Sequence, residues 1–411
     1  MAQTSGSGKA TIDLQAASAK EAVQSEVDRA GDALVDLSHR IWDHPELAFE
    51  EERTSVATAD LLDAAGFVVS TGVADLPTAF SATYGSGPLT IGICSELDAL
   101  PGIGHACGHN MIAAAGVGAG LALARIADDI GVTVRVLGTP AEELGGGKIL
   151  MAERGAFDGV HLAMMVHPSP TEGDSFATLA IGQGDFHYHG RTAHASVTPH
   201  LGVNAADAIT VAQVAIGLVR QHLNRGDQIH GIVTRGGEAA NIVPGDTTAR
   251  YFWRAPDLKR LSRLQPRLER CFEAGALATG ATLEMESLGA PYSEMVDDGE
   301  IAALYRANAT AIGRRFSDER RGAAGSTDMA NISLLMPTIH PMIGIDCGSA
   351  VNHQPEFAAY CREPDADRAL LDGAVAMAQT AVDAATTAGV RDRLLDADTE
   401  YGDRDAYPWR F

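Results

Sequence analysis

In the first part of the chain, segments with the hydrophobic spacing of a helix alternate with short apolar runs. Apolar residues recur at helical spacing over residues 21–42 and 50–65, and an alanine-rich helical pattern covers residues 111–127. Short, almost wholly apolar runs are typical of strands buried on both faces of a sheet. Three such runs occur, at residues 89–95, 132–138 and 159–166. With the intervening helices they predict a β-α-β-α-β succession, and hence an α/β fold with a mostly parallel sheet.

The pattern changes after residue 182. A strand, a helix, two strands, a second helix and a further strand follow one another. This β-α-β-β-α-β order is typical of the small ferredoxin-like sandwich. Because the flanking segments have the α/β pattern, we interpret residues 183–292 as a domain inserted into a discontinuous larger domain of residues 1–182 and 293–411. A terminal amphipathic helix is predicted over residues 365–389.

Composition narrows the classes of partner. The 54 acidic and 31 basic residues give a formal net charge of -23, which disfavours nucleic acid and anionic membranes. No run approaches the roughly 20 apolar residues that a membrane span needs. Residues 1–15 lack a basic segment followed by an apolar one, so we expect a cytoplasmic protein. The five scattered cysteines are expected to be reduced thiols.

Polar residues follow each of the three predicted strands. Glu96 and Asp98 come after the first strand, Glu142 and Glu143 after the second, and His167 after the third. Ligands of parallel α/β sheets bind just beyond the carboxyl ends of the strands. These side chains are therefore expected to meet at one edge of the sheet.

Cys107 and His109 lie two residues apart on the glycine-rich segment GIGHACGHN. A thiolate and an imidazole are good ligands for a borderline metal such as zinc. An isolated pair of this kind is more often a small buried thiol and a helix-start histidine. Here Glu143, His167 and His353 supply a carboxylate and two further imidazoles, although each histidine taken alone could be a core or turn residue. Together they suffice for two divalent ions about 3.5 to 4 Å apart.

Glu142 and Glu143 are adjacent, so their side chains can project in different directions. One carboxylate can then bind metal while the other transfers protons. Glu142 is our choice for proton transfer. The alternative is a pair of solvated surface acids.

Several longer motifs carry a family resemblance. In chain order they are ELDALPGIGHACGHN, GTPAEELGGGK, MMVHP, GRTAHAS, NIVP, GSTDM and PTIHPMI. Over residues 22–387 the chain resembles the M20 family of metallo-amidohydrolases. Within that family it is most similar to the branch that contains p-aminobenzoyl-glutamate hydrolase and related dipeptidases.

The resemblance implies a metal-dependent enzyme that cleaves the amide bond of an N-acyl or N-aroyl amino acid or of a dipeptide. It implies two divalent ions per subunit, zinc or manganese, and an inserted ferredoxin-like domain that serves as lid and homodimer interface. Glu142 would be the general base that later protonates the leaving amine, and His194 would stabilise the oxyanion in the partner subunit's active site. The implied metal ligands are Cys107, His109, Glu143, His167 and His353.

The resemblance also assigns residues around the substrate. Asn241 and Arg254 would hold its free carboxylate, a group that a planar guanidinium suits, although an arginine at a strand end is often a salt-bridge partner. Ser326 and Asp328 would line the pocket, with a helix cap as the alternative for Asp328. Asp98 would orient a ligand imidazole, or else be a turn residue.

One departure from the family leaves the ligand set open. Most M20 enzymes have a ligand histidine two residues before the position of Asp98, where this chain has Glu96. Whether Glu96 contacts metal is therefore undecided by sequence. Two other functions also stay open: a metal-independent amidase with Cys107 as nucleophile, and a non-catalytic binding homologue.

Overall fold

The computed structural model describes residues 5–316, 325–396 and 407–411. The described residues form two compact units. The larger unit takes those within Met1–Ala177, Met295–Gly322 and Asp328–Ala406, and the smaller unit those within Thr178–Glu294, Ala323–Thr327 and Tyr407–Phe411. Residues 1–4, which belong to the segment behind the cytoplasmic expectation, lie outside the described residues.

The elements of the described residues alternate along most of the chain. The strands are β1 (Val68–Thr71), β2 (Phe80–Tyr84), β3 (Leu89–Glu96), β4 (Val132–Thr139), β5 (Leu162–Met164), β6 (His167–Ser169), β7 (Ala180–His189), β8 (Gln228–Arg235), β9 (Asp246–Ala255), β10 (Thr282–Ser287), β11 (Thr338–Ile339) and β12 (Met342–Gly344). The helices are α1 (Ser5–Asp43), α2 (Glu52–Ala64), α3 (His109–Ala124), α4 (Ala127–Ile130), α5 (Gly147–Glu153), α6 (Ala205–Arg220), α7 (Leu258–Thr279), α8 (Gly299–Ala311), α9 (Met329–Ser333), α10 (Pro355–Tyr360), α11 (Pro364–Thr386) and α12 (Ala388–Asp396).

The larger unit is built on a six-stranded sheet with the order β1-β2-β4-β3-β5-β11. The pairs β3/β4, β3/β5 and β5/β11 are parallel, whereas β1/β2 and β2/β4 are antiparallel. All eight residues of β3 are buried, which explains its unbroken apolar sequence. The predicted α/β class with a mostly parallel sheet is confirmed.

Helices α1, α3 and α11 pack against one another in the larger unit. Gly118 of α3 permits this close approach. A Cβ atom at that position would lie 2.9 Å from the Leu34 side chain and 2.9 Å from the Ala374 Cβ atom. The alanine and glycine content of α3 therefore serves close helix packing.

Some element bounds differ from the sequence expectation. The first helix begins at Ser5, well before residue 21. Only Leu162–Met164 of the third apolar run form a strand, β5, because Gly159 has a φ of 72° and the chain becomes extended only after it. Strands β1 and β2 were not predicted. Both are short, and β1 is an edge strand with no alternating burial.

The smaller unit has a four-stranded antiparallel sheet with the order β10-β7-β9-β8. Helices α6 and α7 pack against each other and against the sheet. The chain order is β-α-β-β-α-β, and β9 alternates strictly between buried and half-buried residues, as expected for a sheet covered on one face. Among the described residues, none of the helices combines the length and the apolar character that crossing a membrane requires.

Candidate metal centre

The predicted metal ligands converge at the carboxyl edge of the large sheet. Cys107, His109 and His167 form one group whose ligand atoms lie within 4.8 Å of one another, and Cys107, Glu143 and His353 form a second. Cys107 belongs to both groups. The larger unit therefore brings all five residues together, with the thiol between two sets of ligands.

His109 is the first residue of α3 and is 1% exposed. Its Nδ1 atom lies 3.3 Å from Asp98 Oδ1, and its Nε2 atom lies 3.3 Å from Glu96 Oε2. Burial opposes the charged form, but Glu96 and Asp98 raise the pKa of His109 well above its usual value. Asp98 thus lies where it can orient the ring and leave Nε2 to a metal.

Asp98 also fixes the loop that follows β4. Its Oδ1 atom accepts the backbone N–H of Glu142 at 3.1 Å, and its Oδ2 atom accepts that of Glu143 at 3.0 Å. We call residues 140–146, between β4 and α5, the carboxylate loop. One buried aspartate therefore joins the imidazole of His109 to the backbone of both glutamates.

His167 is held as a neutral imidazole. Its Nδ1 atom lies 2.8 Å from the carbonyl oxygen of Pro168, which can only accept, so Nδ1 carries the proton and Nε2 is left to bind. Burial and His340 lower the pKa of His167 to about 3. The neutral form is the one that ligates metal.

His353 differs from the other histidines in its exposure. Its side chain is 61% exposed, and its Nε2 atom lies 3.7 Å from Glu143 Oε2. The backbone has a φ of 68°, and its N–H donates to the carbonyl of Ala106 at 3.0 Å. This contact joins His353 to the segment that carries Cys107.

The surroundings of Cys107 oppose a free thiolate. Burial raises the pKa of the thiol well above its usual value, and Glu143, which accepts a hydrogen bond from it, raises it further. Catalytic cysteines need the opposite shift. A metal cation would supply the missing positive charge, so this environment favours a ligand role over a nucleophile role.

Lys148 belongs to the same edge of the sheet and was not predicted from the sequence. Its Nζ atom lies 2.6 Å from Glu96 Oε1 and 2.6 Å from Asp328 Oδ1, and all three side chains are fully buried. Although burial opposes ionisation, Lys148 lowers the pKa of Glu96 to about 2. The only signal in the sequence was a lysine after a glycine run in GTPAEELGGGK. One carboxylate oxygen of Glu96 thus contacts Lys148, and the other faces His109.

Asp328 was expected to line the substrate pocket or to cap a helix. Its Oδ2 atom accepts the backbone N–H of Lys148 at 2.8 Å, and the residue is 0% exposed. It makes no side-chain cap to α9. In the structure its carboxylate binds both the backbone N–H and the ammonium group of Lys148.

The donor set at this edge fits divalent metal. His109 Nε2 and Glu96 Oε2 are buried and have no hydrogen-bond partner among the described residues. Buried polar atoms of this kind are costly unless a partner is present. Thiol, imidazole and carboxylate donors are those that zinc and related ions use.

His194 and Asn241 lie together in the smaller unit. His194 pairs with Ile242, and the N–H of Ala195 donates to the carbonyl of Asn241 at 2.9 Å. The Nδ1 atom of His194 accepts the backbone N–H groups of Ser196 and Val197, each at 3.3 Å. The proton of the neutral ring is therefore on Nε2, which makes this exposed imidazole a hydrogen-bond donor.

Arg254 and Ser326 also lie together in the smaller unit, with Arg254 Nη1 donating to Ser326 Oγ at 2.9 Å. Arg254 is near the end of β9, whereas Asn241 precedes its first residue, Asp246. Eight strand residues at about 3.3 Å each separate the two ends by about 26 Å. Asn241 and Arg254 of one chain therefore cannot hold the same carboxylate.

The sequence and the fold are similar to those of known proteins. The family model of Peptidase family M20/M25/M40 matches residues 93–383. The chain belongs to this family. Its membership confirms the resemblance that the motifs indicated, and makes the protein a hydrolase of a metallopeptidase family.

The relatives of this M20 peptidase include a mouse (Mus musculus) protein named Xaa-Arg dipeptidase. That protein is 37% identical over 383 residues, which cover 89% of this chain and 88% of the relative. A component of the p-aminobenzoyl-glutamate hydrolase of Escherichia coli K12 is 34% identical over 61% of this chain and 56% of its own length.

Solved structures share the fold of the M20 peptidase at low sequence identity. The aminobenzoyl-glutamate utilization protein from Klebsiella pneumoniae has a TM-score of 0.70 at 17% identity, covering 89% of this chain and 98% of that one. A dinuclear metal binding peptidase of the M20 family from Bacillus subtilis has a TM-score of 0.65 at 21% identity, covering 86% and 98%.

Proposed function

We propose that this M20 peptidase hydrolyses the amide bond of a dipeptide or of an N-acyl or N-aroyl amino acid, with Glu142 as general base. The observation that carries the proposal is the sharing of Cys107 between two ligand groups beside Glu142. The names of the relatives support the substrate class, because a dipeptide and p-aminobenzoyl-glutamate both have an amide next to a carboxylate.

Five residues would hold two divalent ions. One ion would be held by Cys107, His109 and His167, and the other by Cys107, Glu143 and His353. Ions bound there would lower the pKa of a coordinated water and polarise the scissile carbonyl. The thiolate favours zinc, and the carboxylate also suits manganese or cobalt.

Glu142 has the environment of a proton carrier. Its side chain is 9% exposed, and its Oε2 atom lies 3.9 Å from His109 Nε2. Burial raises its pKa well above the usual value, and Glu96 and Glu143 raise it further. A carboxylate with a raised pKa takes a proton from water more readily and can return it to the leaving amine.

Arg254 is suited to bind the substrate carboxylate. It has no carboxylate partner among the described residues, and its guanidinium donates to the Ser326 hydroxyl at 2.9 Å and to the His230 ring at 3.4 Å. Burial lowers the pKa of Arg254, so a negative partner would be favourable there. The guanidinium can bind a carboxylate through two hydrogen bonds.

In a homodimer, residues from both ends of β9 could contact the same substrate. Arg254 and Ser326 lie at one end, and His194 and Asn241 at the other. A substrate contacted by both ends requires one set from each of two subunits. The Nε2–H of His194 from the other subunit would then stabilise the oxyanion.

A substrate screen tests the proposal. Protein reconstituted with zinc or manganese is assayed against p-aminobenzoyl-glutamate, N-acyl amino acids and dipeptides ending in arginine. We expect turnover of at least one class, loss of turnover with a chelator, and recovery when metal is returned. Activity that survives chelation but is lost on thiol alkylation would instead establish Cys107 as a nucleophile.

A further inference from the structure

We infer that Glu51 is a positioning residue that sets the direction of both carboxylates in the carboxylate loop, by holding Ala141 in a left-handed backbone conformation. The inference rests on the proposed roles of Glu142 as base and Glu143 as ligand. Glu51 lies just before α2, far from the loop in sequence.

The side chain of Glu51 is fully buried, and its carboxylate accepts hydrogen bonds from three donors. Its Oε1 atom accepts the backbone N–H of Ala141 at 2.8 Å and that of Phe49 at 3.0 Å. Its Oε2 atom accepts the hydroxyl of Thr78 at 2.7 Å. A buried carboxylate with this many donors is fixed in place.

Ala141 needs such a fixed partner because its φ is 58°. Residues with a Cβ atom rarely adopt this conformation, and where they do the surrounding structure must enforce it. Ala141 is fully buried and directly precedes Glu142. Relaxation of its backbone would rotate the peptide that leads into Glu142.

Two carboxylates hold the peptide groups on either side of Ala141. Its own N–H belongs to the peptide before it and is bound by Glu51. The N–H of Glu142 belongs to the peptide after it and is bound by Asp98. With both peptide groups held, the φ and ψ angles of Ala141 are determined. Asp98 alone would leave one of the two groups free to turn.

Glu46 provides a matched control in the same segment. Its carboxylate also has three donors, namely the backbone N–H groups of Arg53 and Thr54 and the Thr54 hydroxyl. These contacts support the start of α2, and none of them reaches the carboxylate loop. Loss of Glu46 should therefore lower stability without moving Glu142.

The experiment compares full-length, metal-loaded variants on a substrate that the wild type cleaves. For Glu51→Ala we expect kcat to fall about 10- to 100-fold with KM within about threefold, as for other residues that orient active-site groups. The dissociation constant of the more weakly bound ion, measured by chelator competition, should rise about tenfold because Glu143 is displaced. Glu46→Ala should lower Tm and leave kcat, KM and the dissociation constant of the ion near their wild-type values.

Two variants separate positioning from mere folding. Glu51→Gln should keep most of kcat, since the amide oxygen can replace Oε1 and the amide NH2 can donate to Thr78. Adding Ala141→Gly to Glu51→Ala should recover part of kcat, since glycine adopts a positive φ without strain. If Glu51→Ala does not fold, Glu51→Asp keeps the charge, falls short of Ala141, and should lower kcat at least about fivefold.

A kcat for Glu51→Ala or Glu51→Asp equal to that of Glu46→Ala would overturn the inference, as would a Glu51→Gln variant as slow as Glu51→Ala. Glu142→Gln is measured in the same assay. If it is inactive while the Glu51 variants are normal, only the inference fails. If it retains activity, the proposed function fails.

Discussion

Asp98 Oδ1 lies 3.3 Å from His109 Nδ1, so a single carboxylate orients a candidate ligand ring while it also holds the amides of the carboxylate loop. Replacing Asp98 with Ala should weaken metal binding about 10- to 100-fold, because the ring and the loop lose their common support. Chelator competition measures the change.

The pair His39 and Asp367 gives a control for the Asp98 variant. Asp367 Oδ1 lies 2.8 Å from His39 Nε2, in a contact that involves none of the candidate ligands. Asp367→Ala should leave metal affinity unchanged. Equal effects of the two variants would show that the contact with Asp98 is not specific to metal binding.

Glu142→Gln should lower kcat about 10²- to 10⁴-fold, which is the usual contribution of a general base. The amide cannot take a proton, yet it has nearly the shape of the carboxylate. Elemental analysis should still find two ions per chain. Appreciable hydrolysis by this variant would exclude Glu142 as the base, and loss of metal would make it a ligand instead.

Mixing subunits tests the shared site. His194→Ala and Glu142→Ala homodimers should each be inactive. In an equal mixture that exchanges subunits, half of the dimers are mixed and each has one complete site, so about a quarter of wild-type activity should return. Mixtures that stay as inactive as the separate variants would rule out a site built from two chains.

Asp297 should make stability depend on pH. Burial raises the pKa of this carboxyl to about 7, although it accepts the N–H groups of His340 and Phe176. In the unfolded chain its pKa is near 4, so the folded protein binds the proton more tightly between these values. The contribution is complete below about pH 4 and is lost as pH rises through 7, by about 3 kcal/mol between pH 5 and pH 8.

Urea unfolding at several pH values measures this effect. Asp297→Asn keeps an acceptor oxygen but does not titrate, so its free energy of unfolding should change less between pH 5 and pH 8 than that of the wild type. Parallel pH profiles for the two proteins would show that Asp297 titrates normally.

The local pattern of the sequence predicted much of the larger unit. Apolar runs identified the central strands, because strands buried on both faces must be apolar throughout. The rule that ligands gather beyond the carboxyl ends of parallel strands placed Glu142, Glu143 and His167 near one another. The edge strand β1 escaped because it is short and lacks a periodic signal, and β2, which lies between β1 and β4, has only five residues.

Contacts between distant segments could not be predicted in this way. Glu51 and Ala141 meet only because α2 and the carboxylate loop pack together, and nothing in either local sequence specifies the other. Lys148 likewise meets Glu96 and Asp328 only in the folded chain. The contact of Asp328 with Lys148 could not be predicted from the sequence for this reason.

The sequence by itself determined the family, the α/β class and the identity of the residues that converge on Cys107, because periodicity and short-range spacing are local properties of a chain. Only the tertiary structure decided what supports those residues and which of them lie apart. Asn241 and Arg254 are 13 positions apart in sequence, yet an extended strand holds them at opposite ends of a sheet. The length of that strand is fixed by its pairing with β7 and β8, and pairing between strands is a property of the whole fold.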